Sequence, residues 1–291
     1  MFKGSMVAMA TPMHEDGAVD YDTLADYVEF HIENDTDVLV PAGTTGESAT
    51  LDHAEHCELI RFVVKQARGR VPVIAGTGSN STQETIELTQ CAKDAGADAC
   101  LLVTPYYNKP TQEGLVLHYE AVAKAVAIPL ILYNVPGRTA CDMLAPTAVR
   151  LSKLDNIIGI KEATGDISRC QEILAGCREG FLLISGDDAT AMEFMLAGGK
   201  GVITVTGNVA PRLFHTLCMA CLEGERTKAL QANARLERLN RDLFVESNPI
   251  PVKWCLTEMG LFPAGIRLPM TPLSSAYHET LREALQLAGS L

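Results

Sequence analysis

Apolar residues along this chain come in two textures. Short runs rich in Val, Ile and Leu lead directly into Gly, Pro, Thr or Asn, and longer segments with helical spacing follow them. Eight short runs stand out: Met6–Ala10, Val38–Pro41, Val71–Ala75, Ala99–Val103, Pro129–Tyr133, Ile157–Ile160, Phe181–Ser185 and Gly201–Val205. They lack alternation of polar with apolar residues, the pattern of parallel strands covered on both faces. Helical spacing fills the gaps at Asp22–Asn34, Asp52–Ala67, Ser81–Ala95, Gln112–Val126, Ala145–Leu154, Asp166–Gly176 and Ala189–Leu196, and an eighth helix is expected at Pro211–Leu222. Asp20 or Asp22, Asp52 and Ser81 are placed to cap helices, and Ser81 with Glu84 three residues on has the capping-box pattern.

Eight β-α units in series predict an α/β fold, a (β/α)8 TIM barrel over residues 1–224. An open doubly wound sheet is the alternative, and the count and even spacing favour the barrel. Residues 225–291 predict a C-terminal helical extension packed on the barrel, with helices at Glu225–Glu246, Pro251–Glu258 and Ser274–Leu287 and a loop from Gly260 to Pro272.

Charge narrows the partners. A formal net charge of -12 argues against nucleic acid and anionic membrane, which need clustered Lys and Arg. A small anionic substrate stays open, because a few local cations or backbone N–H groups suffice for it. The 9 cysteines are odd in number and irregularly spaced, which predicts reduced thiols and a cytoplasmic protein. The N-terminal run reaches Pro12 and then acidic residues too soon for a signal peptide. No apolar run approaches the roughly 20 residues that span a bilayer.

In a barrel the chemistry lies at the C-terminal ends of the strands. These ends read G-T-T-G-E (Gly43–Glu47), T-P-Y-Y-N-K-P (Thr104–Pro110), Y-N-V-P-G-R-T (Tyr133–Thr139), G-I-K-E-A-T (Gly159–Thr164), S-G-D-D (Ser185–Asp188) and T-V-T-G-N (Thr204–Asn208). Lys161 follows an apolar strand, where loss of hydration disfavours its ammonium form. A neutral amine there attacks ketones, and the protonated imine is an electron sink. Position alone leaves two other readings: a lysine reaching to the rim, or one paired with Glu162. Imine chemistry needs a proton shuttle, which Tyr133 can supply with Thr44, Thr45 and Tyr107 as candidate relay partners. Each tyrosine alone also fits an amphipathic rim residue. Gly43–Gly46 can form an anion-binding nest or a plain turn. Arg138 offers a planar fork to a carboxylate, or a surface ion pair.

These motifs together resemble the dihydrodipicolinate synthase family of pyruvate-dependent Schiff-base aldolases. The resemblance runs over essentially the whole chain, including N-P-I-P-V-K (Asn248–Lys253). It implies condensation of pyruvate with L-aspartate 4-semialdehyde to 4-hydroxy-tetrahydrodipicolinate, at the start of the diaminopimelate and lysine pathway. It implies that Lys161 forms the imine and that Tyr133, Thr44 and Tyr107 relay protons, with Tyr107 entering from a neighbouring subunit. Thr45 would hold the pyruvate carboxylate, Arg138 the second substrate's carboxylate, and the backbone at Gly186 and Ile203 would line the pocket. No metal or organic cofactor is expected, and a homotetramer is. N-acetylneuraminate lyase and the 2-keto-3-deoxy acid aldolases are the related alternatives, and the P-G-R-T run resembles the synthase. A non-catalytic sensor on the same barrel would lack reason to keep the lysine, relay and carboxylate groups together.

A second group of residues comprises Ser48, Ala49, Leu51, His53, His56, Asn80, Glu84 and Tyr106. His53 and His56 with Cys57 hint at a metal, but H-x-x-H without a further ligand set reads as a polar helix face. The same positions resemble an allosteric site for L-lysine found in some family members, which implies feedback inhibition. Cys218 and Cys221 form a C-x-x-C within an apolar helix and read as buried thiols, and His31, His118, His215 and Trp254 read as structural.

Overall fold

Strands buried on both faces cannot leave an open edge without exposing unpaired backbone groups, and here the sheet curls until its edges meet. The computed structural model describes residues 2–291. Its strands are β1 (Gly4–Ala8), β2 (Val38–Val40), β3 (Ile74–Gly76), β4 (Ala99–Val103), β5 (Leu130–Asn134), β6 (Ile157–Glu162), β7 (Leu182–Ser185) and β8 (Gly201–Thr204). They are parallel, in the order β2-β1-β8-β7-β6-β5-β4-β3. A parallel bridge from Leu39 to Val73 joins the two ends, supported by Leu39 N–H donating to Pro72 O at 3.0 Å and Gly76 N–H to Pro41 O at 3.0 Å. The helices are α1 (Tyr21–Glu33), α2 (His53–Ala67), α3 (Thr82–Ala95), α4 (Gln112–Ala125), α5 (Pro136–Thr139), α6 (Ala145–Leu151), α7 (Ile167–Gly176), α8 (Ala191–Leu196), α9 (Pro211–Leu222), α10 (Arg226–Asp242), α11 (Ile250–Glu258) and α12 (His278–Ala288).

Alternate residues of each strand point into the barrel or out to the helices. Met6, Val38, Ile74, Leu101, Ile131, Ile184 and Ile203 fill the interior. Val7, Leu39, Leu102, Leu132, Ile160, Leu183 and Val202 pack under the helical ring. Both layers are apolar, which is why the strands show no polar alternation. Leu236, Leu239, Val252, Leu256, Leu281 and Leu285 of α10–α12 belong to the same outer cluster, so the C-terminal helices share the barrel's core.

The expected caps form, with one revision. Asp20, Asp52 and Ser81 each accept a first-turn N–H. The full capping box sits at Asp52 and Glu55. At Ser81 only half of it forms, because the Glu84 carboxylate takes the Ser79 hydroxyl instead of turning back to the cap. The expectation that all thiols are free is also corrected. α2 and α3 lie side by side, bringing Cys57 and Cys91 to a Cα–Cα distance of 6.0 Å, and a disulfide joins them. Cys218 and Cys221 are free and buried. His31, His118 and His215 hydrogen-bond to Thr36, Thr82 and Asp37, and Trp254 stacks on His278 at 4.6 Å. Among the described residues no helix is long and apolar enough to cross a membrane.

Candidate active site

The parity of β6 decides what Lys161 does. Ile160 points outward into the helical layer, so Lys161 points inward and Glu162 outward again. Glu162 accepts from Thr164 N–H at 2.9 Å and Asn134 Nδ2 at 3.1 Å, and it lies 3.9 Å from Arg169, so it does not pair with Lys161. Burial pushes its carboxyl above the usual range. Register then sets the lysine's neighbours: Tyr133 of β5 lies opposite Lys161 on one side and Ile184 of β7 on the other. The Lys161 Nζ sits 4.2 Å from the centroid of the Tyr133 ring. Lys161 is 6% exposed, which places a primary amine at the floor of the barrel mouth.

Gly186 makes room for that amine. A Cβ at this position would lie 2.8 Å from Lys161 Cε and 2.6 Å from Ala163 Cβ. The chain comes this close because Gly186 N–H donates to Glu162 O at 2.7 Å, continuing the β6–β7 ladder past the last strand residue.

Above the lysine lies a cavity of about 190 Å³, bounded by Thr44, Thr45, Tyr133, Arg138, Lys161, Gly186, Asp187, Ile203, Phe244 and Asn248 among others. Pockets for drug-sized ligands run to roughly 300–1,000 Å³, so this one suits a smaller molecule. Its charged lining is two cations, Arg138 and Lys161, against the single carboxylate of Asp187. In a chain of net charge -12 that is a local positive field, suited to small anions.

The Gly43–Glu47 turn is more specific than a general nest. The N–H groups of Gly46, Glu47 and Ser48 are used on Gly43 and Thr44 carbonyls, whereas no protein acceptor takes those of Thr44 and Thr45 among the described residues. Glu47 ends the turn in the left-handed region, at φ 57°. Its buried carboxylate pairs with Lys253 of α11 and accepts from Arg267 N–H at 3.1 Å. Arg138 rides on α5, a single turn begun by Pro136, and its Nη2 donates to the Asn248 carbonyl at 3.3 Å.

Seven of the expected residues, Thr44, Thr45, Tyr133, Arg138, Lys161, Gly186 and Ile203, meet in this cavity. Tyr107 does not. It stands at φ 73° on the β4–α4 loop, 88% exposed, and no hydrogen bond joins its hydroxyl to Thr44 or Tyr133 among the described residues. Asn248 stands in the N-P-I-P-V-K run with no sign there of a role at the site, and nothing in the sequence pairs Glu47 with Lys253. The Asn-Pro dipeptide signals a turn at Asn248, but contacts across 110 and 203 residues leave no local pattern.

A second cavity of about 310 Å³ adjoins the first. Ser48, Ala49, Leu51, His53, His56, Glu84 and Tyr106 line it. Asn80 lies outside the lining and holds the Tyr106 carbonyl through Nδ2 at 3.2 Å. His56 Nε2 is committed to the Gly76 carbonyl at 2.7 Å, and burial moves the ring below its ordinary pKa. Glu84, freed from its cap, is the carboxylate of this cavity's α3 wall. Among the described residues no three His, Cys, Asp or Glu side chains converge as a metal requires.

The family model for the dihydrodipicolinate synthetase family matches residues 1–288. The 4-hydroxy-tetrahydrodipicolinate synthase of Thioalkalivibrio sulfidiphilus is 63% identical over 289 residues, covering 99% of this chain and 98% of that protein. Among solved structures, the chloride-inhibited dihydrodipicolinate synthase of Acinetobacter baumannii, complexed with pyruvate, aligns over 100% of both chains with a TM-score of 0.98 and 52% identity. The enzyme of Cyanidioschyzon merolae, with lysine bound, aligns over 100% of this chain and 99% of its own with a TM-score of 0.96 and 38% identity.

Proposed function

The chain belongs to the dihydrodipicolinate synthetase family, and from that premise we propose that it condenses pyruvate with L-aspartate 4-semialdehyde through an imine at Lys161, giving 4-hydroxy-tetrahydrodipicolinate. The observation that carries this reading is the buried Lys161 amine, stacked against Tyr133 and free of its neighbour Glu162, beneath Arg138. The Lys161 amine adds to C2 of pyruvate, and loss of water gives the protonated imine. Removal of a proton from C3 gives the enamine, whose carbon attacks the aldehyde. The substrate's own amine then adds to C2, closing the ring and expelling Lys161. Each step moves a proton, and Tyr133, whose ring lies 4.2 Å from the lysine nitrogen, is assigned to move it.

The other roles follow the cavity's layout. Thr45, with the unused N–H groups of Thr44 and Thr45, receives the keto-acid carboxylate, and Arg138 receives that of the aldehyde substrate. The backbone at Gly186 and Ile203 closes the wall. Thr44 carries protons between Tyr133 and Tyr107, with Tyr107 supplied by a neighbouring subunit. An aromatic side chain 88% exposed at the rim supports that arrangement and a homotetramer. No external cofactor enters these steps, and the protein is read as cytoplasmic.

The second cavity is read as an effector site for L-lysine. Its Glu84 carboxylate, Tyr106 and His53 suit an amino acid, and the lysine-bound C. merolae neighbour supports the assignment. Asn80 contributes by holding Tyr106 in place.

The deciding experiment is reduction with borohydride in the presence of pyruvate, followed by digestion and mass mapping. The expected adduct is on Lys161, and an adduct elsewhere, or none, would overturn the mechanism. Assays for cleavage of N-acetylneuraminate and 2-keto-3-deoxy acids separate the synthase from its lyase and aldolase relatives. Inhibition by L-lysine that disappears in Glu84→Ala supports the effector site, and inhibition that survives that change rejects it.

A further inference from the structure

Asn248 lies in the segment leading to α11, far in sequence from the barrel mouth, yet it is 4% exposed and lines both cavities. Its Nδ2 donates to Thr45 Oγ1 at 3.0 Å. Its backbone carbonyl accepts from Arg138 Nη2 at 3.3 Å. One residue thus touches both groups that the proposed reaction assigns to carboxylates.

The bond to Thr45 has a consequence for proton direction. A threonine hydroxyl has one proton to give and two lone pairs to fill. An amide N–H fills a lone pair and leaves the proton to be given elsewhere. No protein acceptor takes the Thr45 proton among the described residues, and Thr45 borders the cavity. A hydroxyl whose oxygen already accepts a bond is also a stronger donor, because bonds in a chain polarise one another. We propose that Asn248 is a positioning residue for the condensation: its amide turns the Thr45 hydroxyl into a donor for the keto-acid carboxylate, and its carbonyl anchors Arg138 for the second carboxylate. This inference rests on the function proposed above and adds the residue that sets the polarity of the pyruvate subsite.

Two substitutions at this position separate polarity from packing. Asn248→Asp keeps the shape but replaces the donor by an acceptor, so the Thr45 proton turns toward residue 248 and away from the substrate. Asn248→Ala removes the donor and leaves the hydroxyl free to rotate. Neither alters the backbone carbonyl that holds Arg138. The expected result is a pyruvate KM raised about tenfold or more in Asn248→Asp and about threefold in Asn248→Ala. The KM for the aldehyde substrate stays within about twofold in both. A purely structural role gives the opposite order, because the isosteric aspartate disturbs packing less than the truncation.

Thr45→Val provides the cycle. In that background the aspartate substitution should add nothing to the pyruvate KM, since the hydroxyl it acts through is gone. If Asn248→Asp does not fold, the alanine variant alone decides: a pyruvate KM within about twofold of the parent overturns the proposal. Asp milder than Ala, or equal to it, also overturns it. Borohydride trapping of the unsubstituted enzyme is run alongside. An adduct on Lys161 with no Asp/Ala difference defeats this inference alone, whereas a missing adduct defeats the proposed function and this inference with it.

Discussion

Gly186→Ala puts one methyl group against Lys161, the lysine proposed to form the imine. The new Cβ would sit 2.8 Å from Lys161 Cε, 3.1 Å from Lys161 Cγ and 2.6 Å from Ala163 Cβ. Contacts this close must relax. The Ala163 contact resists, because that methyl is fixed to the backbone directly beyond β6. The backbone resists too, because Gly186 N–H holds Glu162 O at 2.7 Å. The lysine chain is the part with rotatable bonds, so its amine moves away from the Tyr133 ring, now 4.2 Å away. Overpacking of this kind costs about 1–3 kcal/mol. If that strain falls on the reacting geometry, the rate drops by about 5- to 150-fold, at roughly 1.4 kcal/mol per factor of ten. The assay is the rate of borohydride trapping with saturating pyruvate, measured beside the melting temperature. The expected variant is folded, melts within a few degrees of the parent, and traps pyruvate at least about fivefold more slowly. Trapping at the parental rate by a folded Gly186→Ala would refute the claim that this glycine exists to clear the lysine.

Arg138→Ala should raise the KM for L-aspartate 4-semialdehyde by about tenfold or more while leaving the pyruvate adduct on Lys161 intact, read by initial rates and by trapping. His31 and Glu55 should share the loss of stability in acid. Burial holds His31 near 3 in the folded chain, below its ordinary 6.5, and its neutral ring therefore stabilises the fold above about pH 6.5 and loses that contribution as pH falls toward 3. The Arg267 guanidinium holds Glu55 at about 2, below its ordinary 4.5, so its contribution is lost between about pH 4.5 and 2. Arg267→Ala should flatten the lower of these two windows in a pH series of denaturant midpoints and leave the upper one in place. After solvent screening the Glu55 part is about 1 kcal/mol.

What the chain reveals of itself before folding follows from the range of each signal. Lys161 was legible because an apolar run ends at it, and strand parity is a local property. Tyr133 was legible for the same reason, and pairing the two needed only the order of β5 and β6. α5 was not, because four residues carry no helical period, though Pro136 at its first position is the usual opening signal. The half-formed cap at Ser81 shows a local motif losing to a tertiary partner. Glu84 had the spacing to cap its own helix, but the Ser79 hydroxyl on the incoming loop is placed to take the carboxylate first. The Cys57–Cys91 bond was hidden by counting: an odd, irregular set of cysteines says nothing about which helices will lie together. The Glu47–Lys253 pair and Asn248 depend on C-terminal helices folding back over the barrel mouth, which sequence can suggest only as an extension.

The two cavities also have a common wall, to which that fold-back contributes Asn248. Thr44, Ser48, Gly78, Val103, Val135, Arg138 and Asn248 border both. An effector in the second cavity therefore needs no long relay to reach the reacting centre, since a shift of Arg138 or Asn248 on one side is a shift on the other. Such contact does not by itself produce inhibition. The effector must bind one arrangement of the wall more tightly than another, and it can bias the wall only by that difference. Because binding coupling is reciprocal, if L-lysine weakens pyruvate binding by some factor, pyruvate must weaken L-lysine binding by the same factor. Titrating L-lysine calorimetrically with and without saturating pyruvate, the imine left unreduced, measures one side of that equality, and the lysine dependence of pyruvate affinity measures the other. If the shared wall carries the coupling, Asn248→Asp should change both factors together. A change in one without the other would show that binding at the second cavity reaches the lysine by a route these seven residues do not provide.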